Sequence, residues 1–503
     1  MSPPPSGTEL VDSSEAVEDP APSAPAPGAI RGGRLAGKSL PVAILILALP
    51  VLLEQFANAL VQLVDKALAG HLPGDMATPA LDGVGIAGYL SWFISVAMAA
   101  IGIGGMALIA RAIGAGDRDL AQRTLGQSVL FAIAWGFVVG IVLWFIARPL
   151  ASLANLSEEA TLYCLQYTRI LALGMPLIGF LFVSINCLHG AGETTRPFLI
   201  MVVVNVVNIL ASWILSGVSI PLPAIGVVIE NPFSFDLHVV GIALGTVIGK
   251  AVGAVLIALL MLRGVHDLRL ELPALRPNWE IFRRVVRIGL PSFLDGFGMW
   301  AGQLIAVFWL LGIIVEKTGQ TEGLLGAHII TVQWEAFSFM PGFALGVAAG
   351  ALAGQYLGAD NPRMATRAIA ACTVLGMILM GLAGLVFIFA GEFLTYLISR
   401  QPIHLELAPQ LLMICGFVQV FFAMAMVIRG GLRGAGDTTA SMLLTWVTTW
   451  GVRIPLAWYF GVVFRDGELG LVGMWIGLCA ELGVRGLAFL ARFLHGGWRT
   501  VQV

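Results

Sequence analysis

Four polar residues interrupt an apolar run near the start of the chain: Glu54, Asn58, Gln62 and Asp65 in LPVLLEQFANALVQLVDKALAG. Steps of four, four and three, at about 100° per residue, place them within one stripe of a helix. Two carboxylates alternating with amides have two uses in an apolar setting. They either hydrogen-bond a neighbouring helix as a structural seam or surround water from which a carboxylate takes and releases a cation. Asn205, Asn208 and Ser212 share a face of a later apolar run, and Lys250 stands alone in the next. An isolated ammonium in such a run needs a partner, so Lys250 is expected to pair with Asp65 or Glu54, as a structural bridge or a gating one. Further on, Asp295 follows Pro291 by four residues. Glu335 stands in VQWEAFSF beside Trp334, Phe337 and Phe339, the ingredients of a site for a cationic aromatic ligand. Glu481 and Arg485 are four apart and are expected to satisfy each other.

The elements that must hold these groups are membrane helices. Hydrophobic residues make up 58% of the 503 and charged residues 12%, far from the balance of a soluble domain. From Leu40 onward twelve mostly apolar runs can be laid end to end, each with the roughly 20 residues that carry a helix across a hydrocarbon layer of about 30 Å. The alternating strands of an outer-membrane barrel are absent from the sequence. The first 40 residues are rich in Pro, Ala, Ser and acid and read as a disordered tail without a stretch of signal-peptide length, so the first spanning helix is expected to direct insertion. The five cysteines fall inside apolar runs at no metal-ligand or disulfide spacing and read as packing residues.

Basic residues are distributed unevenly. Connections from even to odd runs hold Arg111, Arg118, Arg123, Arg196, Arg263, Arg269, Arg276, Arg283, Arg284, Arg287, Arg363, Arg367, Arg429 and Arg433, whereas the opposite loops hold only Arg148, Lys317, Arg400 and Arg465. The excess predicts that the former, with both termini, are cytoplasmic in a cell (inner or plasma) membrane protein. Within the longest of them NWEIFRRVVRIG has Ile281, Val285 and Ile288 at helical spacing against Arg283, Arg284 and Arg287, which predicts an amphipathic helix on the inner membrane surface.

The chain also repeats itself. GAGETT at 190–195 returns as GAGDTT at 434–439, and RAIGAGDRDLAQR at 111–123 lines up with QYLGADNPRMATR at 355–367, both at an offset of 244 residues. Both landmarks fall after the second and fourth runs of each half, so each half is a six-helix unit with the same orientation, the two related by a pseudo-two-fold axis along the membrane normal. The expected architecture is an all-α polytopic membrane protein. Its parts are a tail at 1–40, a first lobe at 41–263, a linker with the amphipathic helix at 264–287, a second lobe at 288–495 and a short tail at 496–503. Each GAG-acid-Thr-Thr stretch reads as a tight turn that ends one helix on glycine and caps the next.

The segments LPVLLEQFANALVQLVDKALAGHL, IGAGDRDLAQ, LHGAGETTRPFLIMVVVNVVN, AHIITVQWEAFSFMPGFALGVAAGALAGQYLGA and LRGAGDTTASM resemble, in this order, the multidrug and toxic compound extrusion (MATE) family, over essentially residues 41 to 495. The resemblance implies two six-helix lobes facing each other across a central cleft, and secondary active export of bulky, often cationic compounds driven by a proton or sodium gradient. It selects Asp65 as the coupling acid, although Lys66 replaces the family's Thr beside it. Asn205 and Asn208 join Asp65 and Glu54 as cation-coupling residues, with Ser212 where the family has a further Asp. Met299 and Phe422 stand at the positions of its second-lobe cation-binding acids, which favours protons over sodium here. Glu335, Asp295, Gln62 and Asn58 are then the expected substrate-cleft residues, with Lys250 as buried charge partner. No cofactor beyond the coupling ion, no metal, no nucleic acid and no second subunit is called for; the partners are small organic cations and the bilayer. A flippase for a lipid-linked precursor is the alternative within the broader superfamily and would need a more basic cleft. A membrane enzyme is disfavoured, because the sequence lacks His-Glu-x-x-His, Gly-x-Ser-x-Gly and Walker-type patterns.

Cysteines introduced at Gly74 and Asn231 should react with an impermeant thiol reagent added outside intact cells, and those at Gln122 and Thr366 only after permeabilisation. Reversed labelling would overturn the orientation.

Overall fold

The computed structural model describes residue 30 and residues 32–154, 156–222, 227–233, 235–319 and 323–503. Among them ten helices are long and apolar enough to cross a bilayer. These are α1 (Leu40–Gly70), α2 (Ala77–Ala115), α3 (Arg118–Leu153), α4 (Glu158–Gly190), α5 (Thr195–Ser216), α6 (His238–Arg263), α8 (Leu324–Gly358), α9 (Pro362–Ile398), α10 (Pro402–Gly434) and α12 (Gly470–His495). The other two spans are broken. One starts as α7 (Trp279–Leu304) and continues through a π-helical turn at Ile305–Leu310 into Leu311–Thr318. The other starts as α11 (Thr438–Thr448) and passes through π-turns at Thr449–Arg453 and Tyr459–Val463. A small antiparallel hairpin, Ile220–Leu222 with Val227–Ile229, is the only sheet among the described residues. Large apolar side chains such as Leu173, Phe145 and Phe389 stand exposed on the outside of the bundle, where a lipid phase would cover them.

The duplication fixes the backbone at matching positions. Gly116 ends α2 at φ +78°, and Asp360, its counterpart in the second lobe, ends α8 at φ +57°. The next residues, Asp117 and Asn361, cap α3 and α9 by accepting from Leu120 N and Met364 N at 3.0 and 3.1 Å. Within the first lobe α4 packs on α2, α3 and α6; within the second α10 packs on α8, α9 and α12. The lobes meet where α2 lies against α7 and α8 and where α1 lies against α8.

That meeting surface is held by reciprocal contacts 244 residues apart. Arg111 Nη2 donates to the Ala435 carbonyl (3.1 Å) in the GAGDTT turn, and Gln355 Nε2 donates to the Gly190 carbonyl (2.9 Å) in the GAGETT turn. Backbones touch beside them. A Cβ on Gly114 would run into the Gln355 carbonyl, one on Gly358 into the Arg111 carbonyl and one on Gly289 into the Ala100 carbonyl. The lobes are therefore closed together at the arginine-rich end.

Two expectations change in detail. The amphipathic stretch is not a separate surface helix: it forms the first turns of α7, with Asn278 capping Glu280 N and Ile281 N, and Ile281, Val285 and Ile288 pack into the first-lobe core. That core offers its apolar side chains a dry partner, which membrane headgroups do not. Of the segment read as a tail, residues 1–29 and 31 lie outside the described residues, but Ile30 and Leu35 are buried among α1 and second-lobe side chains. Gly33 N donates to Asp267 (2.7 Å), and Arg34 pairs with Glu193 (3.0 Å).

Gly289→Val forces α7 away from α2 and should cost about 1–3 kcal/mol. Thermal unfolding in detergent should show a midpoint lowered by several degrees, whereas the same change at Gly312, where a Cβ meets nothing within 4 Å, should leave it unmoved.

Candidate functional site

Proline 50 creates the first requirement. It has no N–H to give to the Ile46 carbonyl one turn earlier, and a bare carbonyl is costly where water is absent. Thr194, in the GAGETT turn, donates its hydroxyl to that carbonyl at 2.8 Å. The same turn is locked by its acid: Glu193 Oε1 accepts from Thr195 N (3.0 Å), Arg196 N (3.1 Å) and Arg34 Nη1 (3.0 Å). In the second copy Asp437 caps nothing and is held instead by Arg492 at 2.8 Å. Both copies are thus turns whose acid clamps an arginine, and in the first copy Thr194 also satisfies the carbonyl that Pro50 leaves free in α1.

Beyond Pro50 α1 turns Glu54 and Asp65 inward, each 7% exposed. Thr246 of α6 lies 3.4 Å from Asp65 Oδ2 and 3.3 Å from the Ile242 carbonyl, and has one hydroxyl proton for both. Asn208 donates to the same Thr246 oxygen (3.4 Å), and Ser212 backs Asn208 at 3.1 Å. Asn205 donates to Asn58 at 3.3 Å, joining α5 to α1. The structure therefore gathers Asp65 and Asn208 around Thr246, a residue the sequence reading passed over, and separately pairs Asn205 with Asn58. Its clue was its position, four residues before Lys250 on the same face of α6.

Two of the expected residues stand outside this network. Gln62 is exposed at the rim of the stripe, since it sits about 60° around the helix from Asp65. Lys250 forms no ion pair within the 4.0 Å limit with either carboxylate, although its charge acts on both. The acids thus keep free valences: Glu54 Oε2 and Asp65 Oδ1 are buried without a hydrogen-bond partner.

The second lobe is built differently. Asp295, fully buried, does not line a cleft: its Oδ2 accepts from Arg433 Nη2 (2.6 Å), Arg429 Nε (3.0 Å) and Ser441 Oγ (3.3 Å), tying α7 to α10 and α11. Arg429 also points Nη1 at Met299 Sδ (2.9 Å), which Arg485 approaches from the other side at 3.5 Å. Arg485 is bound to Glu481 (2.6 Å), Thr449 (2.8 Å) and Thr448 (3.2 Å), and Arg453 to Gln303 (3.0 Å). Reading Arg429 and Arg433 as loop charges missed this network, because α10 continues to Gly434.

Glu335 does not sit in an aromatic box either. It lines a small cavity with Gln303, His328, Arg453 and Trp475 inside the second lobe. Its aromatic neighbours diverge, as successive residues of a helix must. Trp334 donates to the Leu394 carbonyl (3.0 Å), Phe339 packs on Phe422 (6.4 Å between centroids), and Phe337 stacks on Phe56 of α1 across the lobe boundary (6.4 Å, 19°). All five cysteines are buried and free.

Replacing Arg485 by Leu strands Glu481, which is fully buried, and should cost about 3–5 kcal/mol. Thermal unfolding should report the loss, and Glu481→Leu in the same chain should restore a large part of it. No recovery in the double variant would mean that Arg485 contributes through Thr448 and Thr449.

Comparison with known proteins gives one consistent result. Residues 50–214 and 291–459 match the MatE family. The chain is 27% identical over 458 residues to a probable multidrug resistance protein, NorM, of Thermotoga maritima, covering 91% of this chain and 93% of that one. It is 22% identical to the multidrug resistance protein MdtK of Yersinia pseudotuberculosis, covering 89% and 94%. Among solved structures, an outward-facing multidrug resistance MATE transporter of the MOP superfamily superposes with a TM-score of 0.79 at 22% identity, over 92% of this chain and 98% of that one. A MOP superfamily transporter from Pyrococcus furiosus, described as having a binding pocket of reversed polarity, superposes at 0.80 and 22%, over 94% and 100%.

Proposed function

The chain belongs to the MatE family, and from that premise we propose that it is a multidrug efflux antiporter of the cell membrane, both termini cytoplasmic, exporting bulky organic cations by alternating access in exchange for protons bound in its first lobe. The names of its relatives as multidrug resistance proteins support the export reading. The coupling ion is argued from one contrast between the lobes.

Glu54, Asp65, Asp295 and Glu481 each keep one buried oxygen without a hydrogen bond, but among the described residues the two first-lobe carboxylates carry no ion pair, Lys250 included. In the second, Asp295 and Glu481 are each gripped by guanidinium, and two more guanidinium contacts converge on Met299. A cation entering the second lobe would meet positive charge. A proton entering the first meets carboxylates that no guanidinium holds. Sodium, the alternative ion, needs several oxygen ligands, and the described residues cluster them around Asp65 only with amides and hydroxyls already engaged with one another.

Protonation has a defined local effect. Charged Asp65 accepts the Thr246 proton; neutral Asp65 brings an O–H of its own and leaves the Thr246 proton to the Ile242 carbonyl, so the charge-assisted tie between α1 and α6 becomes a weaker neutral one. Each proton moving inward gains roughly 2.3 kcal/mol per 100 mV of membrane potential. Pro50, whose freed Ile46 carbonyl is met by Thr194, lies in α1 between the first-lobe acids and the turns that contact the second lobe. On the cleft side Phe56 and Phe337, one from each lobe, offer aromatic faces to an organic cation. The second-lobe arginines neutralise acids of their own lobe, and that gives no support to a phosphate-binding flippase cleft.

Asp65→Asn should fold and bind a fluorescent cation but lose proton-driven export from everted vesicles, with Glu54→Gln intermediate. Sodium-driven export that persists in Asp65→Asn after the proton gradient is collapsed would refute proton coupling through this lobe.

A further inference from the structure

The chain does not end with α12. At Gly496 (φ +78°) it leaves the helix, makes a 3-10 turn over Gly497–Thr500 and folds back beneath the closed end of the lobes. Trp498 is fully buried, stacked on Phe493 (5.8 Å, 11°) with its indole N–H on the Phe493 carbonyl (3.0 Å), so the segment is anchored in the second lobe. Its far end rests elsewhere. The Val501 carbonyl accepts from Arg111 Nη2 of α2 at 2.9 Å, and the Val503 carbonyl accepts from Arg284 Nη2, at the start of α7, at 2.7 Å. The Val503 side chain packs onto the first-lobe core and against Gly436 of the GAGDTT turn. Arg111 is the same guanidinium that reaches the Ala435 carbonyl, so one side chain of the first lobe holds the second-lobe turn and the terminal segment together.

We propose that residues 496–503 are a latch that holds the cytoplasmic side of the cleft closed: a strap anchored in the second lobe by Trp498 and fastened at its far end to Arg111 of the first lobe and to Arg284 on the first turns of α7, which pack into the first-lobe core. The proposal rests on the alternating-access reading, since an inward-open state separates α2 from the α10–α11 turn. Such separation pulls Arg111 and the first-lobe core away from a segment whose other end cannot follow, because Trp498 is embedded among α10 and α12 side chains. The strap bonds are therefore present in the closed state and lost in the open one, and any interaction made in one state alone weights the equilibrium toward it. The device is independent of the coupling acids. It sets how readily the transporter opens inward, not which ion drives it.

Spin labels on Arg123→Cys and Arg367→Cys, both exposed and 244 residues apart at the cytoplasmic ends of α3 and α9, report the separation of the lobes. The five native cysteines are buried and stay unlabelled. Double electron–electron resonance in lipid nanodiscs, without substrate or gradient, compares the parent with Arg284→Gln, which touches only the strap, and with a chain whose residues 497–503 are a Gly-Ser segment of equal length. Loss of a charge-assisted hydrogen bond should raise the ratio of long to short distances roughly tenfold in Arg284→Gln, and further in the replacement. An unchanged ratio in Arg284→Gln overturns the latch, even beside a shift in the replacement, because lost Trp498 packing would account for that alone. Since no gradient is applied, neither result bears on proton coupling through Asp65.

Discussion

Inside a bilayer no water is available to a polar group, so each one is satisfied by the protein or left bare at a cost of several kcal/mol. That constraint orders the whole molecule. Proline in α1 frees the Ile46 carbonyl, and Thr194 must come to it. Arginine in α10 and α12 needs carboxylate, and Asp295 and Glu481 are held where the guanidinium groups converge. Where lobes meet without side chains between them, glycine lets backbone lie on backbone. Glu54 and Asp65 differ from those acids in lacking an ion pair among the described residues, whereas Asp295 and Glu481, which likewise keep one buried oxygen without a hydrogen bond, are each held by arginine. An unsatisfied buried acid is expensive to keep, and taking up a proton is the cheapest way to satisfy it.

The duplication explains why the two halves share a frame and differ in content. Positions that set the backbone match across 244 residues: Gly116 and Asp360 in left-handed conformation, Asp117 and Asn361 as caps, Gly114 and Gly358 at the close approach. Positions that carry charge have diverged. Arg111 is matched by the uncharged Gln355, and the buried acids of the first lobe have no ion pair where Asp295 and Glu481 of the second are held by arginine. A repeated turn needs only the same φ and the same capping atoms, whereas an ion site needs a particular sum of charges.

How far the sequence disclosed this depended on the range of the interaction. The twelve spans, the two lobes and the capping turns follow from composition, period and repeat, all local properties. The gathering of Asn58, Asn205, Asn208 and Asp65 was legible because polar residues in an apolar helix must face inward. Glu335 was misread because residues flanking it in sequence point to three different neighbours in space. Lys250 was expected to find a carboxylate, but α6 places it one turn from Thr246, which takes the contact with Asp65 first. Arg429 and Arg433 were counted as loop charges because nothing in a hydropathy pattern marks where a helix carries arginine past the end of its apolar run.

The proposed proton site and the closed end of the cleft are joined by one element. The first turns of α1, with Ala43, Ile44, Leu47 and Ala48, are packed among α8 and α10 side chains of the second lobe, while its later turns carry Asp65 against α5 and α6 of the first. Pro50 separates the two parts. A helix with an intact hydrogen-bond ladder would transmit a tilt at Asp65 as a rigid rod; one whose ladder is interrupted by a proline transmits it only as far as the missing bond is replaced. Here the fixing bond comes from Thr194, in the turn whose neighbouring Gly190 carbonyl receives Gln355 from the other lobe. The stiffness of α1 and the closure of the lobes therefore share a turn, and on the proposed reading a proton at Asp65 acts on the cleft through that shared turn.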